Sequence, residues 1–479
     1  MGRLERAVTR GQAKITGTAL GPYQTAIVRI GFSFTWLLFL LREWPHRGVL
    51  YGPDSPWAPE MARQMIDQSG AFTVLMWSDG RAWFEIVYLL AVVSSALLLL
   101  GWRTRTMSVL FMVGVLSLQN RNVFVGDGGD NIIHLMAIYL VLTRCGQVWS
   151  LDARRAARAA RAPGPALGSA PGTGPAPGAP YAAAPAGAPS AQSQGARVDL
   201  DRWPAALRKK DQAPQETAGQ PGAMVAQRQV ARPAVGEVAT AAGGVDGQEG
   251  LFGSDSTGVV LWTLLGTVLA VVTALGELSS GWALVFWGLW AIHGAWWAVC
   301  RYAPGEARAV MGALANLTHN AALVVIMGQV CLIYATAGWY KIQGTRWQDG
   351  TAVHYPLHLD YFSPWPELTG VLANSGTVVM LLSYGTVFVQ VAFPFALLNR
   401  RAKNVLLGVM MLEHIGIAVV LGLPFLSLAM IAADAVFLPT GFLLWLGVTL
   451  RRARGRLPRR PSVPAGTSVA QPAERTLVG

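Results

Sequence analysis

Three short stretches of this chain place ionisable side chains inside or directly beside apolar blocks. Lys341 follows an apolar run that ends near Tyr334, and it opens a segment rich in Trp and Gly. Glu413 and His414 lie at the middle of a later apolar run. Asn131 begins another run, just after an acidic stretch. Because a bilayer penalises ionisable groups that lack a partner or water, each stretch is a candidate for function.

Two interpretations of Lys341 remain open from the residues alone. Its stem could lie along lipid while the ammonium reaches the headgroups. Alternatively, the amine could be a general base, which requires its neutral form. Burial under aromatic residues and the neighbouring Arg346 would favour that form, whereas direct pairing with Asp349 would oppose it.

The polar stretch before the fourth apolar block also has two interpretations. Asn131 and His134 are three residues apart and therefore share a helix face. They could belong to a binding site, or the stretch could be structural, with Asp130 acting as a helix N-cap. His414 likewise could be functional or a hydrogen-bonded structural histidine.

Two further charges lie within apolar blocks, Arg29 in the first and Asp434 in the last. We expect them to be a structural ion pair, with each other or with Glu413. His354 and His358 have an i, i+4 spacing that metal sites use, but Pro356 between them disfavours a regular helix. We therefore expect no metal.

The composition indicates what must position these residues. The 479 residues are 52% hydrophobic and only 13% charged, whereas soluble proteins carry about 25% charged residues. Apolar blocks of about 20 residues predict an all-α, polytopic transmembrane bundle in a lipid bilayer. We predict about ten spans, at residues 23–41, 82–101, 107–119, 131–145, 258–276, 281–300, 318–338, 373–398, 404–422 and 425–447.

The basic residues predict orientation rather than nucleic-acid binding. The formal charge is +12, but every second connection between apolar blocks is basic, as at Arg103 and Arg105 or at Arg400 and Arg401. This pattern predicts a multi-pass plasma-membrane protein with both termini in the cytoplasm. Lys341 would then lie on the extracytoplasmic side.

Composition also divides the chain into regions. The stretch after the fourth block is rich in Ala, Gly and Pro and is predicted to be a disordered cytoplasmic linker. The long connections at 42–81 and 339–372 are rich in Trp and Pro, and we expect them to be interfacial segments on the extracytoplasmic face. The predicted regions are an N-terminal membrane half at 1–152, the linker at 153–256, a C-terminal membrane half at 257–448 and a basic disordered tail at 449–479.

Several motifs resemble one known family. Val28-Arg-Ile-Gly-Phe32 is similar to a first-span Arg and Gly pattern, and Gly101-Trp-Arg-Thr-Arg105 to a Gly-x-x-x-Arg turn. Trp149-Ser-Leu-Asp152 resembles the exit from a fourth span. The most specific match is Tyr334-x-x-Ala-Gly-x-x-Lys341, followed by Trp347-x-x-Gly350. The chain thus resembles the HTTM family, which shares its membrane domain with vitamin K-dependent gamma-carboxylase.

The resemblance implies a function for the candidate residues. The lysine matched by Lys341 deprotonates reduced vitamin K in the carboxylases, O2 then converts the quinol into a strong base and an epoxide, and CO2 adds to a peptide glutamate. It implies that Lys341 and His414 are catalytic, and that reduced vitamin K or menaquinol is used with O2 and CO2. It also implies a peptide or protein substrate on the extracytoplasmic side. The implied quinol pocket comprises Asn131, His134, Tyr334, Trp339, Tyr340, Trp347 and Glu413.

The chain also departs from the family pattern. Ile132 replaces a histidine, Tyr340 replaces a lysine, and the family's large lumenal domain has no counterpart after the last span. The spans at 258–276 and 281–300 look like an insertion. A second function therefore stays open, a membrane-embedded maturation, transport or interaction factor that keeps only the fold.

Overall fold

The computed structural model describes residues 2–161, 256–303 and 305–456. Within these residues the chain is helical and contains no strand, which confirms the all-α prediction. The α-helices are α1 (Arg3–Gly17), α2 (Pro22–Glu43), α3 (Arg47–Tyr51), α4 (Pro59–Ser69), α5 (Arg81–Leu100), α6 (Thr104–Arg121), α7 (Gly128–Val141), α8 (Leu151–Ala159), α9 (Ser256–Ala274), α10 (Ser280–Tyr302), α11 (Glu306–Gln343), α12 (Thr345–Gln348), α13 (His354–Leu357), α14 (Pro366–Ala373), α15 (Gly376–Ala396), α16 (Arg400–Val420), α17 (Pro424–Asp434) and α18 (Thr440–Arg456).

Seven of the described helices are long and apolar enough to cross a membrane, which is consistent with an integral membrane protein. The predicted number of ten spans is not confirmed. Helix α7 has 14 residues, or about 21 Å at 1.5 Å per residue, whereas a bilayer core is about 30 Å thick. Helix α6 carries several polar residues at each end, among them Arg105 and Arg121, and is not one of the seven either. The final predicted span is broken, because α17 and α18 meet at a bend of 116°.

The interior of the bundle is built where α2, α5, α6, α7 and α17 pack together. Its largest buried apolar side chains include Trp36 and Phe32 of α2 and Tyr88 of α5. Small residues let α2 and α17 approach closely, since a Cβ at Gly31 would overlap Ala432. Helix α17 also packs against α16, and α11 packs against α15. These contacts bring the apolar faces of both membrane halves into one core.

Helix α11 runs through this core and is longer than predicted. Near its start, Asn316 and His319 bind the carbonyl oxygens of Thr16 and Leu20 at 2.9 and 2.8 Å. The helix does not end near Tyr334 but continues to Gln343. Lys341 is therefore in the last helical turn, rather than in a loop after the span. At 1.5 Å per residue, about 33 Å of helix separates His319 from Lys341.

The two long connections form short helices packed on the bundle. Arg121 of α6 holds the first of them by binding the carbonyl oxygens of Trp57 and Gly52, at 2.9 and 3.0 Å. The second, which follows α11, packs on the N-terminal half of α15, where Tyr384 donates to the Gln348 carbonyl at 2.8 Å. That these connections lie at a membrane interface stays a prediction.

Most of the predicted linker lies outside the described residues. At its start, residues 153–159 belong to α8, and at its end Ser256 begins α9. The predicted tail overlaps the end of α18, and residues 457–479 lie outside the described residues.

Candidate functional site

Lys341 is held inside the bundle by a neutral partner. Its Nζ donates to Oε1 of Gln390 on α15 at 2.8 Å, and the Gln390 Nε2 donates to Oε1 of Glu413 on α16 at 3.0 Å. Gln390 and Glu413 both have helical turns on either side of them, whereas Lys341 is in the last turn of α11, so the chain of contacts runs from the end of one helix into the interior of two others. The amide therefore separates the ammonium from the carboxylate while bonding both.

This arrangement decides between the two interpretations of where the Lys341 side chain points. The side chain is half-buried and bonded within the protein, so it does not extend along lipid toward headgroups. Its Nζ also lies 5.2 Å from the ring centroid of Trp347, within cation–π range. Asp349 does not pair with it. Asp349 instead lies near Arg346 at 3.7 Å and accepts hydrogen bonds from Thr351, which hold the pKa of the Asp349 carboxyl below its usual value.

A second group of polar side chains lies deeper on the same face of α11. The Tyr334 hydroxyl is 3.0 Å from both carboxylate oxygens of Asp434 on α17 and 3.0 Å from Nε2 of His414 on α16. All three side chains are buried. The sequence placed Tyr334 and His414 in one site, and the structure brings them together with Asp434 as the third member.

The two groups are neighbours along the bundle. Tyr334 and Lys341 are seven residues apart, so they share a helix face about 10 Å apart in height. Glu413 and His414 are adjacent on α16, and each belongs to a different group. Lys341 is close enough for its charge to act on both Glu413 and His414. The result is a line of ionisable groups through an otherwise apolar region.

Two predicted pocket residues face away from this line. Trp339 is 60% exposed and Tyr340 is 73% exposed. Successive residues on a helix are about 100° apart. Trp339 and Tyr340, which lie between Gly338 and Lys341, therefore point to other sides of α11. Of the three aromatic residues predicted around Lys341, only Trp347 lies against the amine.

Asn131 and His134 are on α7 and have other surroundings. Asn131 is exposed, and His134 Nδ1 lies 2.9 Å from Oε1 of Gln119 on α6. The acidic residues before them form a cap, as the structural interpretation predicted, but Asp127 is the N-cap residue. Asp130 completes the capping box by accepting from the Asp127 backbone N–H at 2.8 Å.

The predicted ion pair between Arg29 and Asp434 is wrong. Arg29 donates to the carbonyl oxygens of Leu98 and Leu99 at the end of α5, and to that of Trp149 at 2.8 Å. Asp434 bonds Tyr334 instead. A helix end leaves carbonyl groups without intrahelical partners, and a buried guanidinium with several donors satisfies them.

The three weaker sequence motifs meet around this arginine. Gly101 ends α5 in a left-handed conformation, next to Arg29. The Asp152 carboxylate accepts from the backbone N–H groups of Arg103 and Thr104 at 2.9 and 2.8 Å, which caps α6. Asp152 also donates its own N–H to the Gly101 carbonyl at 3.0 Å. Within the described residues, these motifs therefore carry an architectural junction rather than the site.

Gln390 is the member of the site that sequence reasoning missed. It is an uncharged polar residue within an apolar block, and that contrast was the available signal. Its bonding capacity explains its position, because an amide can accept from an amine and donate to a carboxylate at once. A search restricted to ionisable residues passes over such a link.

The histidine pair after α12 forms despite its proline. The rings of His354 and His358 are 4.0 Å apart at their centroids, and His358 Nδ1 lies 2.8 Å from the His354 carbonyl oxygen. No group of three or more His, Cys, Asp or Glu side chains suited to a metal occurs in the described part of the chain.

Comparisons with family models, with curated proteins and with solved structures found no match to this chain. The likeness to the HTTM family therefore rests on the short motifs alone, and the function is argued from the site.

Proposed function

We propose that this chain is a membrane-embedded, quinol-dependent enzyme in which Lys341 is the general base. The observation that carries the proposal is the Lys341 amine held within the bundle, 2.8 Å from the Gln390 amide oxygen and beside the Trp347 ring. An ionisable group bonded within a bundle of apolar helices is typical of sites that bind or move protons.

The identity of the lysine's partner supports a base. A carboxylate in direct contact would hold an amine in its charged form through a charge-assisted hydrogen bond. Here Gln390 lies between the amine and Glu413, so the amine can lose a proton without breaking an ion pair. Gln390 can accept a hydrogen bond from either form of the amine and so keeps it in place.

The surroundings fit a quinol in part. A reduced vitamin K or menaquinol ring would lie against Trp347, while Lys341 would accept a hydroxyl proton. When bound, the quinol would supply the electrons that reduce O2. Trp339 and Tyr340 are exposed and would not line this position. Carboxylation of a peptide glutamate with CO2 is a narrower form of the proposal, with the peptide reaching the site from the extracytoplasmic side.

A second function is favoured by another property of the same contacts. The chain of contacts from Lys341 through Gln390 to Glu413 is already paired within the protein. Such a network can serve to hold helices together without chemistry. The protein would then be a membrane-embedded maturation, transport or interaction factor.

The test measures epoxide formation in membranes that contain the full chain. Reduced vitamin K or menaquinol is supplied with O2, and the epoxide is quantified by mass spectrometry. We expect product from the wild type and a loss of about a hundredfold or more in Lys341→Met, because a positioned base contributes about 10²–10⁴ in rate. Methionine keeps an unbranched stem but cannot accept a proton.

Lys403→Met is the matched control. Lys403 is also a helical lysine bonded to an oxygen of the protein, the Phe437 carbonyl, and it is outside the site. Its variant should retain epoxide formation. No epoxide from the wild type would favour the non-catalytic function, and equal amounts from Lys341→Met would show that Lys341 is not the base. Labelled CO2 appearing in a glutamate peptide would support the narrower carboxylase form.

A further inference from the structure

The buried group formed by Tyr334, His414 and Asp434 restricts where protons can be. A tyrosine hydroxyl has one hydrogen to donate and lone pairs to accept with. Here it has two neighbours, the Asp434 carboxyl group and His414 Nε2, each at 3.0 Å. The hydroxyl can donate to only one of them and must accept from the other.

The first pattern has Asp434 ionised. Tyr334 then donates to the carboxylate, and His414 must carry its hydrogen on Nε2 in order to donate to the hydroxyl. Nδ1 of the neutral ring is left with a bare lone pair. The three side chains together hold one negative charge.

The second pattern has Asp434 protonated. Its hydrogen is donated to Tyr334, and the Tyr334 hydrogen is donated to a bare Nε2. The neutral ring of His414 now carries its hydrogen on Nδ1. The three side chains are uncharged, which apolar surroundings favour over a buried charge. The two patterns differ by one proton.

The unbonded end of this chain is His414 Nδ1. The side chain is only 5% exposed, and Nδ1 is buried with no hydrogen-bond partner among the described residues. Buried polar atoms are nearly always bonded, so an unsatisfied one needs an explanation. Nδ1 is bare in the first pattern and carries a hydrogen in the second, so the additional proton can be bound there.

We propose that Asp434, Tyr334 and His414 form a proton-binding relay inside the bundle. One proton enters at His414 Nδ1, the hydrogen on Nε2 moves to Tyr334, and the Tyr334 hydrogen moves to Asp434. Each step breaks one N–H or O–H bond and forms another, and no oxidant or reductant takes part. The relay rests on these hydrogen bonds and does not depend on quinol chemistry.

Two ionisable side chains outside the relay act on it electrostatically. Glu413 acts electrostatically on Tyr334 and Asp434, and Lys341 acts on His414. Glu413 is negative when ionised and Lys341 is positive when protonated, so their electrostatic effects on the relay have opposite signs. Arg29 of α2, Lys403 of α16, and Asp130 and His134 of α7 also belong to helices that pack on α17, and each is bonded to other atoms.

The test is pH-difference infrared spectroscopy of the full-length protein in lipid nanodiscs, without quinol. It follows the C=O stretch of a protonated carboxyl group and the ring bands of histidine. In the wild type we expect both signals to change together, in a single transition. The carboxyl signal should be lost in Asp434→Asn and retained in Glu413→Gln, which removes the nearest other acid.

Tyr334→Phe keeps the ring and removes the link. Its carboxyl and imidazole signals should therefore separate, and this variant decides the question if Asp434→Asn does not fold. A carboxyl signal that persists in Asp434→Asn would overturn the relay. So would signals that change at different pH values in the wild type, or a wild type with no titrating carboxyl group. A chain that forms no epoxide can still pass this test.

Discussion

Buried polar side chains at the candidate site depend on one another for hydrogen bonds, and Tyr334 joins two of them. It contacts His414 and both oxygens of Asp434. In apolar surroundings a lost partner leaves a desolvated group without compensation, which costs more than the bond itself contributes. Removing the Tyr334 hydroxyl, which joins two buried partners, should therefore destabilise the protein.

We expect Tyr334→Phe to lower the free energy of unfolding by about 1–3 kcal/mol, the cost of leaving a buried polar group unsatisfied. The measurement is thermal unfolding of the detergent-purified protein. Tyr340→Phe is the matched control on the same helix, since Tyr340 is 73% exposed. Its effect should stay within about 0.5 kcal/mol. Equal stabilities for the two variants would mean that the Tyr334 hydroxyl is not bonded as described.

At the scale of elements, the junction around Arg29 sets how α5 leads into α6. Gly101 ends α5 with a positive φ of 71°, and the start of α8, with Ser150 as its N-cap and Asp152 in its first turn, packs against it. Asp152 then caps α6. Capping, a left-handed glycine and a buried arginine thus act on the same turn, so the motif residues serve one structural purpose.

Gly101→Ala and Gly70→Ala separate conformational strain from crowding. Both glycines end a helix with a positive φ, but nothing lies within 4 Å of a Cβ at Gly70, whereas a Cβ at Gly101 would lie 2.8 Å from Ser150 Cα. Gly70→Ala should cost about 1–2 kcal/mol for the left-handed conformation. Gly101→Ala should cost a further 1–3 kcal/mol, about the usual penalty of overpacking. Unfolding of the two purified variants compares them, and equal costs would contradict the close packing.

For the whole molecule, the positions of the basic residues relative to α15 predict which side of the membrane each end faces. Leu398 lies between α15 and α16, directly before Arg400 and Arg401. Tyr361 lies in the connection before α15, on the other side of that helix. Positive residues favour the cytoplasmic side, so the two residues should face opposite compartments.

Cysteine labelling checks this orientation. Tyr361 and Leu398 are 85% and 93% exposed, so a thiol at either position is accessible. In intact cells a membrane-impermeant thiol reagent should modify Tyr361→Cys but not Leu398→Cys, which should react only after the membrane is opened. The wild type, with its three native cysteines, gives the background. The reverse pattern would invert the orientation, and labelling of both in intact cells would mean that α15 does not cross.

The two spans that look like an insertion, α9 and α10, pack on each other through two tryptophans. Trp262 of α9 and Trp290 of α10 stack at 4.0 Å, and each donates its indole N–H to the carbonyl of the other. Glycines lie opposite the rings, at Gly266 and Gly294. This reciprocal contact joins the two helices, and α10 in turn contacts the rest of the bundle through Trp282 and Phe286, which pack on Phe72.

Much of the architecture was predictable from local pattern. Apolar blocks of membrane length predicted the helical class and most helix positions, because backbone groups in lipid must be bonded within their own segment. Charge at the ends of these blocks predicts which side of the membrane each connection faces, and this stays a prediction. Lys341, Glu413, His414 and Asp434 stood out because ionisable residues are rare in such blocks. Helix ends were less certain, and α11 extends past the predicted boundary to include Lys341.

The partners of these residues were decided only by tertiary structure. Helical periodicity indicates which face a residue shares, but not which distant helix crosses that face or at what height. Asp434 could have met Arg29 or Tyr334, and the packing of α17 beside α11 and α16 selected Tyr334. Gln390 became the link to Lys341 because α15 crosses α11 where Gly338 allows close approach. Sequence thus determined which groups require partners inside the membrane, and helix packing determined which partners they have.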